Sequence, residues 1–275
     1  MIKTAEWLTN HLSDSRIRII DCRFKLNDPL YGRKAFEKSH IPGAVFFDLE
    51  KDISGEVREH GGRHPLPDVD EFAAKLEKAG ISNDLILVAY DDGECSYASR
   101  FVWMMHYLGH KESYVLNGGF SQWIENQLPV EQSAYKPEPT NFQVNIQETL
   151  LASYEEVKEL SEKGSKEKVL VDSRDRRRYE GLEEPIDKKA GHIPGAVNYP
   201  WTDGLEDRQF LDGDRMKARF KELDPNKKII VYCGSGVTAS PNYLALKQAG
   251  FPNVKVYIGS YSDWVSYENN PVATN

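Results

Sequence analysis

The sequence has few cysteines and no long hydrophobic run. Its 275 residues include only three cysteines, Cys22, Cys95 and Cys233, which are far apart and lack Cys-x-x-Cys spacing. Neither a disulfide framework nor a zinc site is therefore predicted. The seven histidines form no His-Glu-x-x-His pattern, so no metal and no other cofactor is expected.

No apolar stretch approaches the roughly 20 residues that a membrane-spanning helix needs. The first residues also lack the long apolar region of a secretory signal, and a cytoplasmic location without a membrane partner is expected. The formal net charge of −8 disfavours a nucleic-acid-binding surface and favours small molecules or proteins as partners.

The chain contains an internal repeat. The motif His-Ile-Pro-Gly-Ala-Val occurs at 40–45 and again at 192–197, and Asp-x-Arg follows an apolar run at 21–23 and at 172–174. A Trp closes each copy, at Trp123 and Trp264. Because the two copies agree in order and spacing, we interpret the chain as a tandem duplication of one domain.

Short β-type runs alternate with helical patterns in each copy. This alternation predicts two α/β domains, each a mostly parallel sheet flanked by helices. We place the first domain at residues 1–130, a linker rich in proline and polar residues at 131–147, and the second domain at 148–275. In such sheets the working site lies beyond the carboxyl ends of the strands.

Cys233 is the candidate nucleophile. The apolar run Ile229 to Tyr232 stops at this cysteine, and a helical pattern resumes after a loop of small residues, Gly234, Ser235, Gly236, Val237 and Thr238. Backbone N–H groups of such a loop, with the helix N-terminus behind them, can hold an anion or stabilise a thiolate. The first repeat has Asp91 at the equivalent strand end, so only the second half can perform thiol chemistry.

With these motifs the chain resembles the tandem-domain rhodanese and 3-mercaptopyruvate sulfurtransferase family. The resemblance implies two rhodanese-like domains and a persulfide mechanism, in which Cys233 takes sulfur from a small-molecule donor. The sulfur then passes to an acceptor such as thioredoxin, a small thiol or cyanide. A phosphatase of related fold is disfavoured, because Ala239 occupies the position where that chemistry needs an arginine.

The resemblance also implies the donor. Family members that prefer thiosulfate carry cationic residues after the cysteine, whereas Gly234 and Ser235 resemble the members that use 3-mercaptopyruvate. Thiosulfate remains the second donor considered. A persulfide carrier or regulatory module with little turnover on free donors is the alternative from another class.

The resemblance assigns further site residues. Ser235 is expected to form a relay with His64 and an acid at Glu50, where the family usually has aspartate; Asp48 is a nearby substitute. Arg178 matches the arginine that binds the donor carboxylate. The second such arginine is missing before the Gly-His-Ile motif, and Lys188 or Lys189 is expected to replace it.

The residues that both repeats share are expected to be structural. His40 and His192 occur in both copies, including the copy without a thiol, so each is predicted to bond turn carbonyls and not to act as a base. Trp123 and Trp264 are interpreted as core residues. Arg174 is interpreted as structural, like Arg23 in the first copy.

Overall fold

A computed structural model describes residues 1–133 and 135–275. Its internal contacts divide the chain into two compact units. The first unit comprises Met1–Gly55, Leu66–Gln147 and Asp207–Gln209, and the second comprises Glu56–Pro65, Glu148–Glu206 and Phe210–Asn275. Residues 56–65, which belong to the first repeat in sequence, thus group with the second unit.

The first unit contains a five-stranded sheet. Its strands are β1 (Ile2–Lys3), β2 (Ile17–Asp21), β3 (Ala44–Phe46), β4 (Ile86–Tyr90) and β5 (Ser113–Leu116). They are ordered β1-β5-β4-β2-β3, and every neighbouring pair is parallel. The central strands β2 and β4 are almost wholly buried, as expected for strands covered on both faces, and β4 has no charged residue.

The helices that flank this sheet, in the part of the unit that the structure describes, are α1 (Ala5–Thr9), α2 (Tyr31–Lys38), α3 (Val69–Lys78), α4 (Ser96–Tyr107) and α5 (Gly119–Glu125). Asp68 begins α3, where its carboxylate accepts from two N–H groups of the first turn. Helix α4 follows β4, packs against β4 and β5, and is the most buried helix of the unit.

The second unit repeats this plan with a four-stranded sheet. Its parallel strands are β6 (Lys168–Asp172), β7 (Val197–Asn198), β10 (Lys228–Tyr232) and β11 (Val254–Val256), ordered β11-β10-β6-β7. The short strands β8 (Leu205–Glu206) and β9 (Gln209–Phe210) form a separate two-stranded sheet. Strand β10 is central, so the residue after Tyr232 emerges at the middle of the carboxyl edge.

The helices of the second unit are α6 (Tyr154–Lys163), α7 (Arg176–Glu180), α8 (Gly213–Arg219), α9 (Ala239–Gln248) and α10 (Ser260–Trp264). Two 3₁₀ turns lie at Glu148–Leu150 and Trp201–Gly204. Helix α6 starts as its Ser-x-x-Glu pattern predicts, because the Ser153 hydroxyl accepts from the Glu156 N–H at 3.1 Å. Helix α9 packs against β10 and β11.

The residues that both repeats share are buried, as expected for structural residues, but the two histidines contact carbonyls of helices α2 and α7 and not the predicted turn carbonyls. His40 Nδ1 lies 2.7 Å from the Phe36 carbonyl oxygen, and His192 Nδ1 lies 2.7 Å from that of Tyr179. Trp123 and Trp264 are fully buried, and in the second copy Arg174 forms a buried ion pair with Asp172 at 2.6 Å. The matching pair in the first copy joins Arg23 and Asp21, also at 2.6 Å.

The predicted linker 131–147 includes residue 134, which lies outside the described residues. Within the rest of that segment, the N–H groups of Thr140 and Gln147 bond carbonyls of Glu77 and Tyr107 in the first unit. The domain limits 1–130 and 148–275 stay a prediction. In residues 1–133 and 135–275, no helix is both long and apolar enough to span a membrane.

Candidate active site

Cys233 follows β10 directly, and residues 233–238 form the loop that leads into α9. The thiol is buried, with 1% of the residue exposed. The Gly236 N–H donates to Cys233 Sγ at 3.2 Å. Gly236 has a φ of +77°, and a Cβ there would collide with the Ile258 carbonyl, so glycine is required for the turn that aims this N–H at sulfur.

The first residues of α10 hold the other side of the loop. The Cys233 N–H donates to Ser260 Oγ at 3.1 Å, and the Tyr261 N–H donates to the Cys233 carbonyl at 2.9 Å. Ser260 Oγ also lies 3.9 Å from Cys233 Sγ. These bonds fix the cysteine between two neighbouring strand ends, so the sulfur is presented in one orientation.

Ser260 was missed by the sequence reading. Its φ is +55°, and its counterpart in the first repeat is Gly119 with a φ of +57°. A left-handed backbone is easy for glycine and costs an ordinary residue roughly 1–3 kcal/mol. A serine at a position that favours glycine indicates that its hydroxyl has a function, here as a hydrogen-bond partner of Cys233. Comparing the two repeats, glycine in one and serine in the other, could have revealed this residue.

Ser235 and His64 are in direct contact. His64 Nδ1 lies 2.8 Å from Ser235 Oγ, and both residues are buried. Ser235 is two residues after Cys233, and His64 belongs to the segment 56–65 that groups with the second unit. The structure thus brings together three of the four predicted catalytic residues.

Two arginines lie beside Gly234. A Cβ placed on Gly234 would be 2.9 Å from Arg63 Nη2, and 3.6 and 3.7 Å from Arg178 Nη2 and Nη1. Arg178 was predicted here, but Arg63 was missed. No local sequence pattern distinguishes Arg63 from an ordinary charged loop residue, because its position depends on how residues 56–65 pack.

Two acidic side chains hold these arginines. Asp187 contacts Arg63 Nη1 through one carboxylate oxygen and Arg178 Nη2 at 3.0 Å through the other. Glu184 binds Arg178 at 2.7 and 3.2 Å. Burial raises the pKa of Asp187, although Arg63 opposes that rise. For Glu184, burial alone would raise the pKa, but bonds from Arg178 and backbone N–H groups lower it.

The remaining predicted residues stay untested. Glu50 belongs to the first unit and is exposed, while Asp48 is buried and accepts the N–H groups of Glu50 and Lys51. Lys188 is exposed and lines a cavity of about 600 Å³ together with Lys189, whose Nζ donates to the Glu268 carbonyl. The roles of Glu50 and Lys188 therefore stay predictions.

In the first unit an aspartate stands at the strand end where the second unit has Cys233. Asp91 follows β4 and is fully buried, and its carboxylate accepts from four backbone N–H groups, those of Gly93, Cys95, Tyr97 and Ala98, at 2.9 to 3.2 Å. The aspartate side chain occupies the anion-binding loop itself. Cys95 is buried nearby, and burial raises the pKa of its thiol well above the ordinary value.

The fold and the loop define a class of protein with two α/β units in tandem, each built on a parallel sheet, in which one strand-to-helix loop presents a cysteine. The model of the rhodanese-like domain matches residues 4–126 and 153–267. The chain is 41% identical to a probable 3-mercaptopyruvate sulfurtransferase of Pseudomonas aeruginosa, over 98% of this chain and 97% of that protein. It is 35% identical to the thiosulfate sulfurtransferase of Gallus gallus, over 95% and 92%.

Among solved structures, the chain is similar to SseA from Escherichia coli, described as a 3-mercaptopyruvate sulfotransferase with the rhodanese fold. The TM-score is 0.84 and the identity 31%, over 95% of this chain and 98% of that one. The chain belongs to the rhodanese-like family. The predictions of two rhodanese-like domains and of a sulfurtransferase are confirmed.

Proposed function

We propose that this sulfurtransferase takes sulfur from 3-mercaptopyruvate and passes it, through a persulfide on Cys233, to a thiol or cyanide. The observation that carries the donor assignment is the Ser235 Oγ to His64 Nδ1 contact of 2.8 Å, two residues from the nucleophile. A hydroxyl backed by an imidazole can handle a proton, which a carbon leaving group requires.

In the first half-reaction the Cys233 thiolate attacks the sulfur of the donor. The new S–S bond forms as the C–S bond breaks, and the electron pair of that bond leaves with the carbon as the enolate of pyruvate. The Gly236 N–H at 3.2 Å stabilises negative charge on Cys233 sulfur before the attack. Protonation of the enolate carbon then yields pyruvate.

Ser235 and His64 act on the departing carbon skeleton. The Ser235 hydroxyl donates to the donor carbonyl oxygen, where negative charge develops, and His64 at 2.8 Å supports this hydroxyl. Glu50 remains the predicted acid behind His64. Because both Ser235 and His64 are buried, the low local dielectric strengthens the bond to the developing charge.

Arg178 and Arg63 bind the donor carboxylate. Guanidinium N–H groups donate to carboxylates, and Arg63 Nη2 and Arg178 Nη1 lie beside Gly234, the residue after the nucleophile. In this proposal Arg63 takes the role that was expected of Lys188 or Lys189. In the second half-reaction an acceptor thiolate or cyanide attacks the outer sulfur and Cys233 leaves as a thiolate. A cytoplasmic location, where thioredoxin and small thiols are available, stays a prediction.

The test is pyruvate formation from 3-mercaptopyruvate with a thiol acceptor, measured for the parent chain and three single variants. Cys233→Ser should abolish turnover, because serine is not a sulfur nucleophile. Cys22→Ser and Cys95→Ser are the matched controls and should retain most activity. Loss of activity in a folded Cys95→Ser variant would contradict the assignment of a single sulfur carrier.

Thiosulfate is a second candidate donor. Its support is the relative from Gallus gallus and the two guanidinium groups near the loop, which suit an anion. A higher kcat/KM for thiosulfate than for 3-mercaptopyruvate in the parent chain would select this alternative. Slow turnover with both donors, together with formation of a persulfide on Cys233 by a partner protein, would favour the function of a persulfide carrier.

A further inference from the structure

The acidic bridge between the two arginines has a consequence for donor choice. Asp187 touches Arg63 with one oxygen and Arg178 with the other, and its side chain is 2% exposed. Asp187 thus holds both arginines that would bind the donor carboxylate, and it carries the same sign of charge as that donor. A buried carboxylate between two arginines repels an anionic substrate and competes with it for the guanidinium N–H groups. Its presence therefore affects which anions the arginines can bind.

The charges near Gly234 balance. Arg63 and Arg178 supply two positive charges, and Asp187 and Glu184 supply two negative ones. Arg174 contacts Glu184 at 3.2 Å as well, but its own buried pair with Asp172 at 2.6 Å adds one charge of each sign and leaves the sum at zero. The arginine pair can therefore offer directed N–H bonds to an anion without a net positive charge on this cluster.

This balance distinguishes the two donors. 3-Mercaptopyruvate presents one negative charge while its thiol is protonated, whereas thiosulfate presents two. Each extra negative charge brought to a neutral and partly buried cluster meets desolvation cost without a matching attraction. The nitrogens that face Gly234 and are not engaged by Glu184 or Asp187, Arg63 Nη2 and Arg178 Nη1, can donate to either donor, so hydrogen bonding does not separate the two.

We propose that Asp187 determines donor specificity: by bridging Arg63 and Arg178 it cancels one positive charge and makes the site select a singly charged donor over thiosulfate. The inference rests on the proposed function. Asp187 does not touch the reacting sulfur; it acts through the arginines. Burial and the neighbouring Glu184 raise the pKa of Asp187, and the contacts with Arg63 and Arg178 oppose that rise.

The test compares kcat/KM for 3-mercaptopyruvate and thiosulfate in the parent chain and in Asp187→Asn. Removing one negative charge leaves the cluster with one net positive charge. At an effective dielectric constant near 20 and a separation of about 10 Å, one unit of charge changes the thiosulfate to 3-mercaptopyruvate ratio by on the order of 10-fold, in favour of thiosulfate. Asp187→Glu keeps the charge and should keep the parent's ratio.

Glu183→Gln is the matched control. Glu183 pairs with Arg177 at 2.9 Å, and both side chains are largely exposed, so this variant removes the same charge four residues away. It should leave the ratio unchanged. Equal losses with both donors in Asp187→Asn, or an equal shift in Glu183→Gln, would overturn the inference. If Asp187→Asn does not fold, Asp187→Ser removes the same charge and is judged by the same ratio.

The outcomes separate this inference from the proposed function. If the parent chain releases no pyruvate but uses thiosulfate, the proposed donor is wrong, and the inference is judged on thiosulfate alone. A rise in thiosulfate kcat/KM in Asp187→Asn then supports the charge role, and no rise overturns it. If the parent uses neither donor, both statements fall.

Discussion

Gly234→Ala tests the arginine pair with the smallest possible change. Gly234 has no positive φ, so alanine fits its backbone without strain. The added methyl would lie 2.9 Å from Arg63 Nη2, which is too close, but 3.6 and 3.7 Å from the Arg178 nitrogens, which is ordinary contact. The Arg63 side chain can move and its surroundings are partly open, so the substitution should displace this guanidinium selectively.

The size of the effect follows from the bond that is lost. A hydrogen bond to a charged group contributes about 1.5–3 kcal/mol, which corresponds to about 10- to 100-fold in kcat/KM for 3-mercaptopyruvate. Arg63→Ala should lose a similar factor. Because both changes remove the same interaction, the double variant should lose no more than either single variant.

The assay is steady-state pyruvate release, with thermal unfolding to confirm that each variant is folded. Gly213→Ala is the matched control, since a Cβ there meets nothing within 4 Å. Lys188→Ala tests the earlier assignment and should retain the parent's kcat/KM. Losses that multiply in the Gly234→Ala and Arg63→Ala double variant, or a large loss in Lys188→Ala, would refute the placement of Arg63 at the donor.

Three further outcomes are expected. Ser235→Ala should lower kcat with 3-mercaptopyruvate more than with thiosulfate, because sulfite leaves with less need of a proton. Equal losses of kcat with the two donors would contradict the proposed relay of Ser235 and His64. Iodoacetamide at neutral pH should label only Cys233, as read from peptide mass spectra, since burial raises the pKa of Cys22 and Cys95 well above the ordinary value. Labelling of Cys95 at a rate comparable to that of Cys233 would contradict this prediction. Asp91→Ala should lower the free energy of unfolding by roughly 2–4 kcal/mol, because four buried N–H groups lose their acceptor, and an unchanged denaturant midpoint would contradict that.

The sequence alone predicted the features that depend on local pattern. Ile229 to Tyr232 is apolar and β-branched, and glycines follow Cys233, so the strand, the loop and the nucleophile could be read directly. The repeat strengthened this reading, because Asp91 replaces the thiol in one copy. The structural roles of His40 and His192 followed from the same comparison.

The features that depend on long-range packing could not be read. Arg63 reaches Gly234 because its N–H donates to Ser262 Oγ at 3.2 Å and Gly61 N–H donates to Asp263 Oδ1 at 2.7 Å. Nothing in the local pattern of residues 56–65 indicates those bonds. The bridge through Asp187 depends in turn on Arg63, so it could not be predicted before the position of that segment was known.

The central claim is that Cys233 carries the sulfur between donor and acceptor. The most direct measurement mixes the reduced chain with 3-mercaptopyruvate without an acceptor and follows pyruvate and protein mass in a single turnover. The account predicts a prompt release of one pyruvate per chain and a gain of one sulfur atom on the peptide that contains Cys233, both absent in Cys233→Ser. Pyruvate release without that added sulfur, or added sulfur on Cys22 or Cys95 instead, would contradict it.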